Sequence, residues 1–104
     1  MAVKKTNPKD LRTRRFKLLN DENRLQIIEL LFAGPVNVSE ITSTLGIEQS
    51  LTSHHLGVLR KEGILISERR GKEIFYQLAD EVRANCDKRE LELRCCKILL
   101  RSTV

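Results

Sequence analysis

Three groups of side chains in this sequence have chemistry beyond the building of a core. The first is a run of short polar residues around one leucine, namely Gln49, Ser50, Leu51, Ser53 and His54. The second is a set of cations around a glycine, namely Arg69, Arg70 and Lys72. The third is the three cysteines, Cys86, Cys95 and Cys96. The first two groups suit contacts to a nucleic acid, and the third suits thiolate chemistry.

The run of short polar residues suits the reading of base edges in a DNA major groove. A glutamine can pair with adenine, a serine can pair with several bases, and Leu51 can contact a thymine methyl group. These residues lie at the start of a predicted helix over residues 49–61, where a recognition helix presents its side chains. The alternative is an ordinary solvated helix face.

The elements around this run predict a helix-turn-helix over residues 39–63. Ser39 is placed to cap a helix over residues 40–45, Gly46 to end it in the left-handed conformation, and Gly63 to end the second helix. The apolar side chains at the spacing that two crossed helices bury are Ile41, Leu45, Ile47, Leu56 and Leu59. This spacing leaves the polar run on an outer face.

A basic hairpin follows the second helix. Residues 64–68 and 73–78 have the composition of strands, and Arg69, Arg70, Gly71 and Lys72 form the predicted tip. A cationic hairpin beside a helix-turn-helix is typical of a wing that contacts phosphates or a minor groove. A two-stranded ribbon with a solvated tip is the alternative.

The residues before the helix-turn-helix predict two helices and a short extended piece. Pro8 favours the start of a helix over residues 9–19, and Asn20 or Asp21 caps a core helix over residues 22–32. Residues 36–38 form the extended piece. In the first helix we expect an apolar side made of Leu11, Phe16, Leu18 and Leu19, and an exposed basic side made of Arg12, Arg14, Arg15 and Lys17. The basic side lies against phosphates or, alternatively, in solvent.

After the hairpin, Asp80 can cap a long final helix whose apolar residues form two adjacent stripes. In so small a chain this wide apolar face predicts packing on the first helix and on a second copy. The expected fold is therefore one winged helix-turn-helix domain over residues 1–104, mainly α with a small antiparallel hairpin. Residues 1–7 are an expected flexible N-terminus, and residues 80–101 are an expected dimerisation helix.

Composition limits the classes of function. The net charge is +5, and residues 1–20 hold much of the excess, which is consistent with a polyanionic partner. No apolar run is long enough to span a membrane, and the start of the chain lacks the apolar core of a secretion signal. We therefore expect a cytoplasmic protein whose cysteines are free thiols.

The motifs resemble the ArsR/SmtB-type winged-helix transcriptional repressors of bacteria. The resemblance covers residues 16–80 and rests on LLNDENRLQIIELL, VSEITSTLGIEQSLTSHHLGVLRKEGIL and SERRGKEIFYQL. It implies a homodimer on a palindromic operator in double-stranded DNA, released by an inducer. It also implies that Gln49, Ser50, Ser53 and His54 read the DNA, and that Arg69, Arg70 and Lys72 form the wing. Two recognition helices in successive major grooves need half-sites about 10 bp apart, or a multiple of that.

The chain departs from the family's pattern at several positions. His54 stands where relatives often have arginine, and His55 matches a family histidine that we interpret as packing. Asn37 and Ser39 replace a paired-cysteine metal motif. The positions of the family's zinc ligands correspond to Asp80, Val82, Leu93 and Cys96, of which at most two could ligate. A zinc site of that design is therefore not expected.

The cysteines leave three alternatives open. They are small apolar residues in a dimer interface, or they bind a soft ion such as arsenite, or they sense thiol oxidation or persulfides. On a helix Cys86 and Cys95 would lie about 13 Å apart, so only Cys95 with Cys96, or thiols from two chains, could cooperate. Helices crossing near Leu91 bring Cys86 of one chain to Cys96 of the other, whereas crossing near Asp87 brings it to Arg89.

The leading hypothesis is thus a sequence-specific DNA-binding repressor. A regulator of this type without metal or redox sensing, and a winged helix that binds proteins, are the alternatives. The second predicts apolar or acidic residues where the polar run and the cations stand. An enzyme is not expected, because Ser53, His54 and His55 lie on one helix without an acidic partner at helical spacing.

Overall fold

The computed structural model describes residues 8–85, 90–93 and 97–99. The helices of this part are α1 (Pro8–Leu19), α2 (Glu22–Leu31), α3 (Val38–Leu45) and α4 (Gln49–Lys61). Its strands are β1 (Val36–Asn37), β2 (Leu65–Arg70), β3 (Glu73–Leu78), β4 (Arg83–Asn85), β5 (Glu90–Glu92) and β6 (Lys97–Leu99). The three cysteines and the predicted flexible segment 1–7 lie outside the described residues.

Capping residues set the ends of the helices. Asp21 caps α2, because its Oδ1 accepts a hydrogen bond from the backbone N–H of Arg24 at 3.2 Å. Asn37 caps α3 in the same way, accepting from the backbone N–H of Glu40 at 2.8 Å. The prediction that Ser39 caps this helix is therefore wrong, since Asn37 supplies the oxygen two residues earlier. Gly46 ends α3 with φ at +65°, as predicted.

The wing is a regular antiparallel hairpin. Strand β3 lies between β1 and β2, and the β2–β3 pairing extends from Leu65 opposite Leu78 to Arg70 opposite Glu73. The hairpin loop contains only Gly71 and Lys72, and the φ of +63° at Gly71 suits a two-residue hairpin turn. The tip is narrower than predicted, because Arg69 and Arg70 still belong to the paired part of β2.

The core lies between α2, α4 and the wing sheet. The side chains excluded from solvent in this region are Ile27, Ile28, Leu31, Ile41, Leu56, Leu59, Ile64, Leu65 and Leu78. Of the apolar residues predicted to be buried in the helix-turn-helix, Leu45 is only half-buried and the others are buried. The buried stripe of α4 fixes which side of that helix faces outward.

The inward side of α1 differs from the prediction. Arg15 was expected in solvent, yet it is 8% exposed, whereas Phe16 is 49% exposed. The half-buried Leu11 and the buried Leu18 and Leu19 lie four, three and four residues from Arg15. These spacings place Arg15 on the inward stripe and turn Phe16 away from it. Position on the helix, rather than polarity, decides which side chain is buried.

The predicted final helix is wrong for the described residues after β3. The backbone forms a second antiparallel sheet in the order β4-β5-β6, with Leu91 opposite Arg83 on one side and Ile98 on the other. Leu91 and Leu93 are fully buried, while Glu92 between them is half-buried. This alternation has the period of a strand, and it prevails over the helical spacing of the more distant apolar residues.

The described structure is thus mainly helical with an antiparallel hairpin, and the predicted fold class is confirmed. The element order agrees with the prediction through β3. Within residues 8–85, 90–93 and 97–99, no helix combines the length and the apolar character that crossing a membrane requires.

Candidate nucleic-acid interface

The polar run lies on the outer face of α4. Every member of the run is exposed, including Leu51 at 40%. Thr52 and His55 point inward and are buried. The run begins at the first helical residue, where unpaired backbone N–H groups and the helix dipole favour a negatively charged partner. One member of the run is bonded to a residue just before it, because the Ser50 hydroxyl donates to the Glu48 carboxylate at 2.8 Å.

The inward side of α4 is joined to α2 by a polar cluster. Arg24 donates from Nε to Nδ1 of His55 at 3.0 Å and from Nη1 to the backbone oxygen of Leu18 at 3.1 Å. On the other side of the ring, His55 Nε2 lies 3.9 Å from Asp21 Oδ1. Because Nδ1 accepts a hydrogen bond, the neutral ring has its proton on Nε2, facing Asp21. This cluster connects the cap of α2 to the middle of α4.

Burial lowers the pKa of His55 below its usual value of 6.5. The charge of Arg24 and the ring of His54 act in the same direction, while the Asp21 carboxylate opposes them. The neutral ring is therefore the form that fits this position. His55 has the packing role that the sequence predicted, but its bond to Arg24 was not predicted, because 31 residues separate the two.

The two arginines of the wing lie on opposite faces of the hairpin. Residues opposite each other in an antiparallel pair share a face, so Arg69 and Ile74 lie on the face that also contains Leu65 and Leu78 of the core. Arg70 lies on the other face, where its guanidinium is 4.7 Å from the centre of the Phe75 ring and 3.4 Å from the Glu68 carboxylate. Among the described residues, Arg69 donates to the carbonyl oxygen of Gly71 in the turn, at 3.2 Å, and to no other side chain or backbone group.

A concave surface joins the start of α3, the start of α4 and the wing. It encloses about 240 Å³ and is lined by Asn37, Val38, Ser39, Gln49, Ser53, Lys72, Glu73 and Ile74. Three of the predicted DNA-contacting residues, Gln49, Ser53 and Lys72, therefore share one surface. The remaining predicted residues do not line it. The residues from the start of α3 were not predicted as part of the site, since their composition carries no signal for it.

One arginine on the basic side of α1 is paired with an acidic residue of the same chain. Arg14 Nε lies 3.0 Å from the carboxylate of Glu62, which follows α4. Arg12 and Lys17 are exposed.

Among the described His, Asp and Glu side chains, no group of three is arranged to hold a metal ion. Of the described positions that correspond to the family's zinc ligands, Val82 and Leu93 are buried apolar residues and Asp80 is exposed.

These elements and their order define a winged helix-turn-helix protein. Residues 21–67 match the model of the family described as "Bacterial regulatory protein, arsR family". Over 80% of its length, the chain superposes on 91% of the structure of HlyU from Vibrio cholerae N16961, with a TM-score of 0.70 and 30% identity. The chain therefore belongs to the arsR family of bacterial regulatory proteins, as the sequence resemblance predicted.

Two further relatives extend the comparison. The chain is 41% identical over 58 residues to the HTH-type transcriptional regulator NmtR of Mycobacterium tuberculosis. This match includes 56% of the chain and 48% of NmtR, so it spans about half the length of that relative. A homodimeric winged helix-turn-helix DNA-binding domain from Mycobacterium bovis has a TM-score of 0.65 and 30% identity, with 78% of each chain covered.

Proposed function

We propose that this protein is a sequence-specific DNA-binding transcriptional repressor that binds a palindromic operator as a homodimer. One observation carries the proposal, namely that the exposed start of α4 and the tip of the wing line the same concave surface. Base-reading side chains and a phosphate-binding cation thus face one partner together. Family membership supports the same function.

The recognition helix supplies the base contacts. Gln49 and Ser53 lie on the concave surface, where a glutamine can make two hydrogen bonds to an adenine and a serine can pair with several bases. Ser50, Leu51 and His54 are exposed on the adjoining part of the same outer face and extend the contact along the groove. The hydroxyl of Ser50 is the most restricted member, since it already donates to Glu48.

The wing supplies contacts to the backbone of the DNA. Lys72 is exposed in the loop. Arg69 lies on the same hairpin face as the buried Leu65 and Leu78, and opposite Ile74, which lines the concave surface. Arg70 contributes less, because Phe75 and Glu68 occupy its guanidinium on the opposite face. From the sequence we expected equal roles for the two arginines, but their register in the hairpin places them on opposite faces.

The dimer places two such surfaces on one duplex. Of the two helices in the predicted interface, α1 is the one that the described residues contain. Its exposed Phe16 offers an apolar contact for a two-fold seam. The homodimeric domain from Mycobacterium bovis supports this assembly. The two recognition helices then require half-sites about 10 bp apart, or a multiple of that.

The three cysteines are the candidate inducer site, and the proposal distinguishes three roles for them. Cys95 and Cys96, with Cys86, bind a thiophilic ion such as arsenite, or react as redox-sensitive thiols, or have no sensory role. A protein with Cys95→Ser and Cys96→Ser that arsenite still releases from DNA would exclude the soft-ion outcome.

The test of the proposed function is fluorescence anisotropy with a duplex from the promoter of its own operon. We expect binding that weakens steeply with salt, because phosphate contacts release counterions. Gln49→Ala should lose about 1–3 kcal/mol of binding to the specific duplex. Gln26→Ala is the matched control, since it removes a glutamine from α2 outside the concave surface. Equal affinities for the two variants would contradict the assignment of the outer face of α4 as the surface that reads the DNA.

A further inference from the structure

A buried arginine on α1 lies outside the concave surface formed by α3, α4 and the wing. The side chain of Arg15 on α1 is 8% exposed, and its Nε and Nη1 are buried with no hydrogen-bond acceptor among the described residues. A buried guanidinium is costly unless its donors are satisfied, and a carboxylate is the partner whose geometry suits it best. An acceptor from outside the chain would therefore bind favourably there.

Arg15 lines a cavity large enough for such a partner. The cavity encloses about 170 Å³, which corresponds to the volume of about five or six water molecules. Buried Val82 and Leu93 form its apolar wall, and Gly63 lies at its edge. The acidic residues Glu62, Glu81 and Glu92 also line it.

The charges around the cavity select the type of ligand. Glu62 is engaged by Arg14 at 3.0 Å, whereas Glu81 is exposed and lines the same cavity as Arg15. A simple anion would be repelled by the glutamates, and a simple cation would be repelled by Arg15. A metal ion is not favoured either, since the described acidic residues form no group of three that could hold one. A molecule that has both charges satisfies the two sides at once.

We propose that this cavity binds a small zwitterion, an α-amino acid, whose carboxylate accepts hydrogen bonds from Arg15 and whose ammonium faces Glu81. The apolar wall formed by Val82 and Leu93 receives the rest of the ligand. Binding there joins α1 and the second sheet to the C-terminal end of the recognition helix, because Glu62 and Gly63 follow α4 directly. We therefore expect the ligand to change affinity for the operator, a part of the inference that rests on the proposed function.

The test is a thermal-unfolding screen of the full chain with each of the twenty L-amino acids at millimolar concentration. At a ligand concentration about ten times Kd, we expect at least one of them to raise Tm by about 5 °C. The corresponding amine without the carboxylate, and the corresponding acid without the amine, should give much smaller shifts. If none of the twenty raises Tm, the inference is overturned.

Variants assign the shift to the cavity. Arg15→Met should remove it while the protein still folds, because an apolar chain of similar length replaces a buried guanidinium whose Nε and Nη1 have no acceptor among the described residues. Arg12→Met, an exposed position on the same helix, should keep it. A shift that survives in Arg15→Met would overturn the proposed site. Glu81→Gln should reduce the shift for the amino acid more than for the acid lacking the amine, and equal reductions would contradict the ammonium contact.

Operator binding by the same preparations separates this inference from the proposed function. Intact binding to DNA without any amino-acid shift would overturn the cavity assignment alone. An amino-acid shift in a protein that does not bind DNA would overturn the proposed function alone. An amino acid that binds at Arg15 and leaves operator affinity unchanged would overturn the coupling between the two sites.

Discussion

The two faces of α4 have opposite relations to the rest of the chain. On the inward face, Leu56 and Leu59 are fully buried and His55 accepts a hydrogen bond from Arg24. On the outward face, Gln49 and Ser53 are exposed, and their side chains have no hydrogen-bond partner among the described residues. The fold therefore depends on the inward face of α4, whereas the outward face is accessible to a partner. Substitutions should affect stability on the first face and binding to DNA on the second.

The largest expected effect is on the inward face. Leu56→Ala should lower the free energy of unfolding by about 2–5 kcal/mol, because it leaves a cavity in a fully buried site. Leu51→Ala is the matched control on the outward face and should change that free energy by less than about 0.5 kcal/mol. Urea unfolding at one fixed protein concentration measures both. Similar losses for the two variants would remove the distinction between the faces.

The next effect concerns the polar cluster under the recognition helix. His55→Ala should lower the free energy of unfolding by about 1–3 kcal/mol, because the Nε of the half-buried Arg24 loses its acceptor. His54→Ala, one residue away and exposed, should leave stability nearly unchanged and weaken binding to the operator. The same urea titration, paired with anisotropy, distinguishes the two histidines. A reversed pattern would mean that the outward and inward assignments of these residues are wrong.

The pH dependence of stability should also distinguish the inward His55 from the outward His54. The pKa of His55 is lowered by burial, so the unfolded chain takes up a proton near pH 6.5 while the folded protein still keeps the neutral ring. The contribution of His55 to stability is therefore complete above that pH and decreases as the pH falls below it. Urea midpoints between pH 5.5 and 7.5 should show this slope in the wild type and in His54→Phe. His55→Phe should reduce it, and an unchanged slope would place its origin elsewhere.

The smallest expected effect separates the two arginines of the wing. Arg69→Ala should lower the steepness of the salt dependence of DNA binding by about one ion, as expected for the loss of one phosphate contact. Arg70→Ala should change the steepness less, because Phe75 and Glu68 hold its guanidinium on the opposite face. Anisotropy at several salt concentrations measures both slopes. Equal changes would show that both arginines reach the DNA.

The helix-turn-helix could be predicted because several independent signals agree there. The apolar spacing of α3 and α4 and the glycines at positions 46 and 63 lead to the same boundaries, and α4 spans Gln49–Lys61 as predicted. The cap of α3 could not be chosen from sequence, since Asn37 and Ser39 both suit the position. The pairing of Val36 with Tyr76 and of Asn37 with Phe75 fixes the backbone that selects Asn37.

The burial of Arg15 and the strands after β3 could not be predicted, because polarity and periodicity gave conflicting signals there. Arg15 has the position of a buried residue and the chemistry of an exposed one, and position prevailed. After β3, the local alternation of Leu91, Glu92 and Leu93 competed with a helical pattern among residues farther apart. Pairing between strands is not visible in one sequence, so the faces of Arg69 and Arg70 and the bond from Arg24 to His55 also required the structure.

Amide chemical-shift mapping during titration with an operator duplex identifies the residues of this chain that contact DNA. The duplex is taken from the promoter of its own operon or selected from a random library. We expect the largest shifts between Gln49 and His54, with a second group at Gly71 and Lys72. Largest shifts in the groove between α2 and α3, lined by Gln26, Leu30 and Thr44, with the start of α4 unchanged, would contradict this expectation.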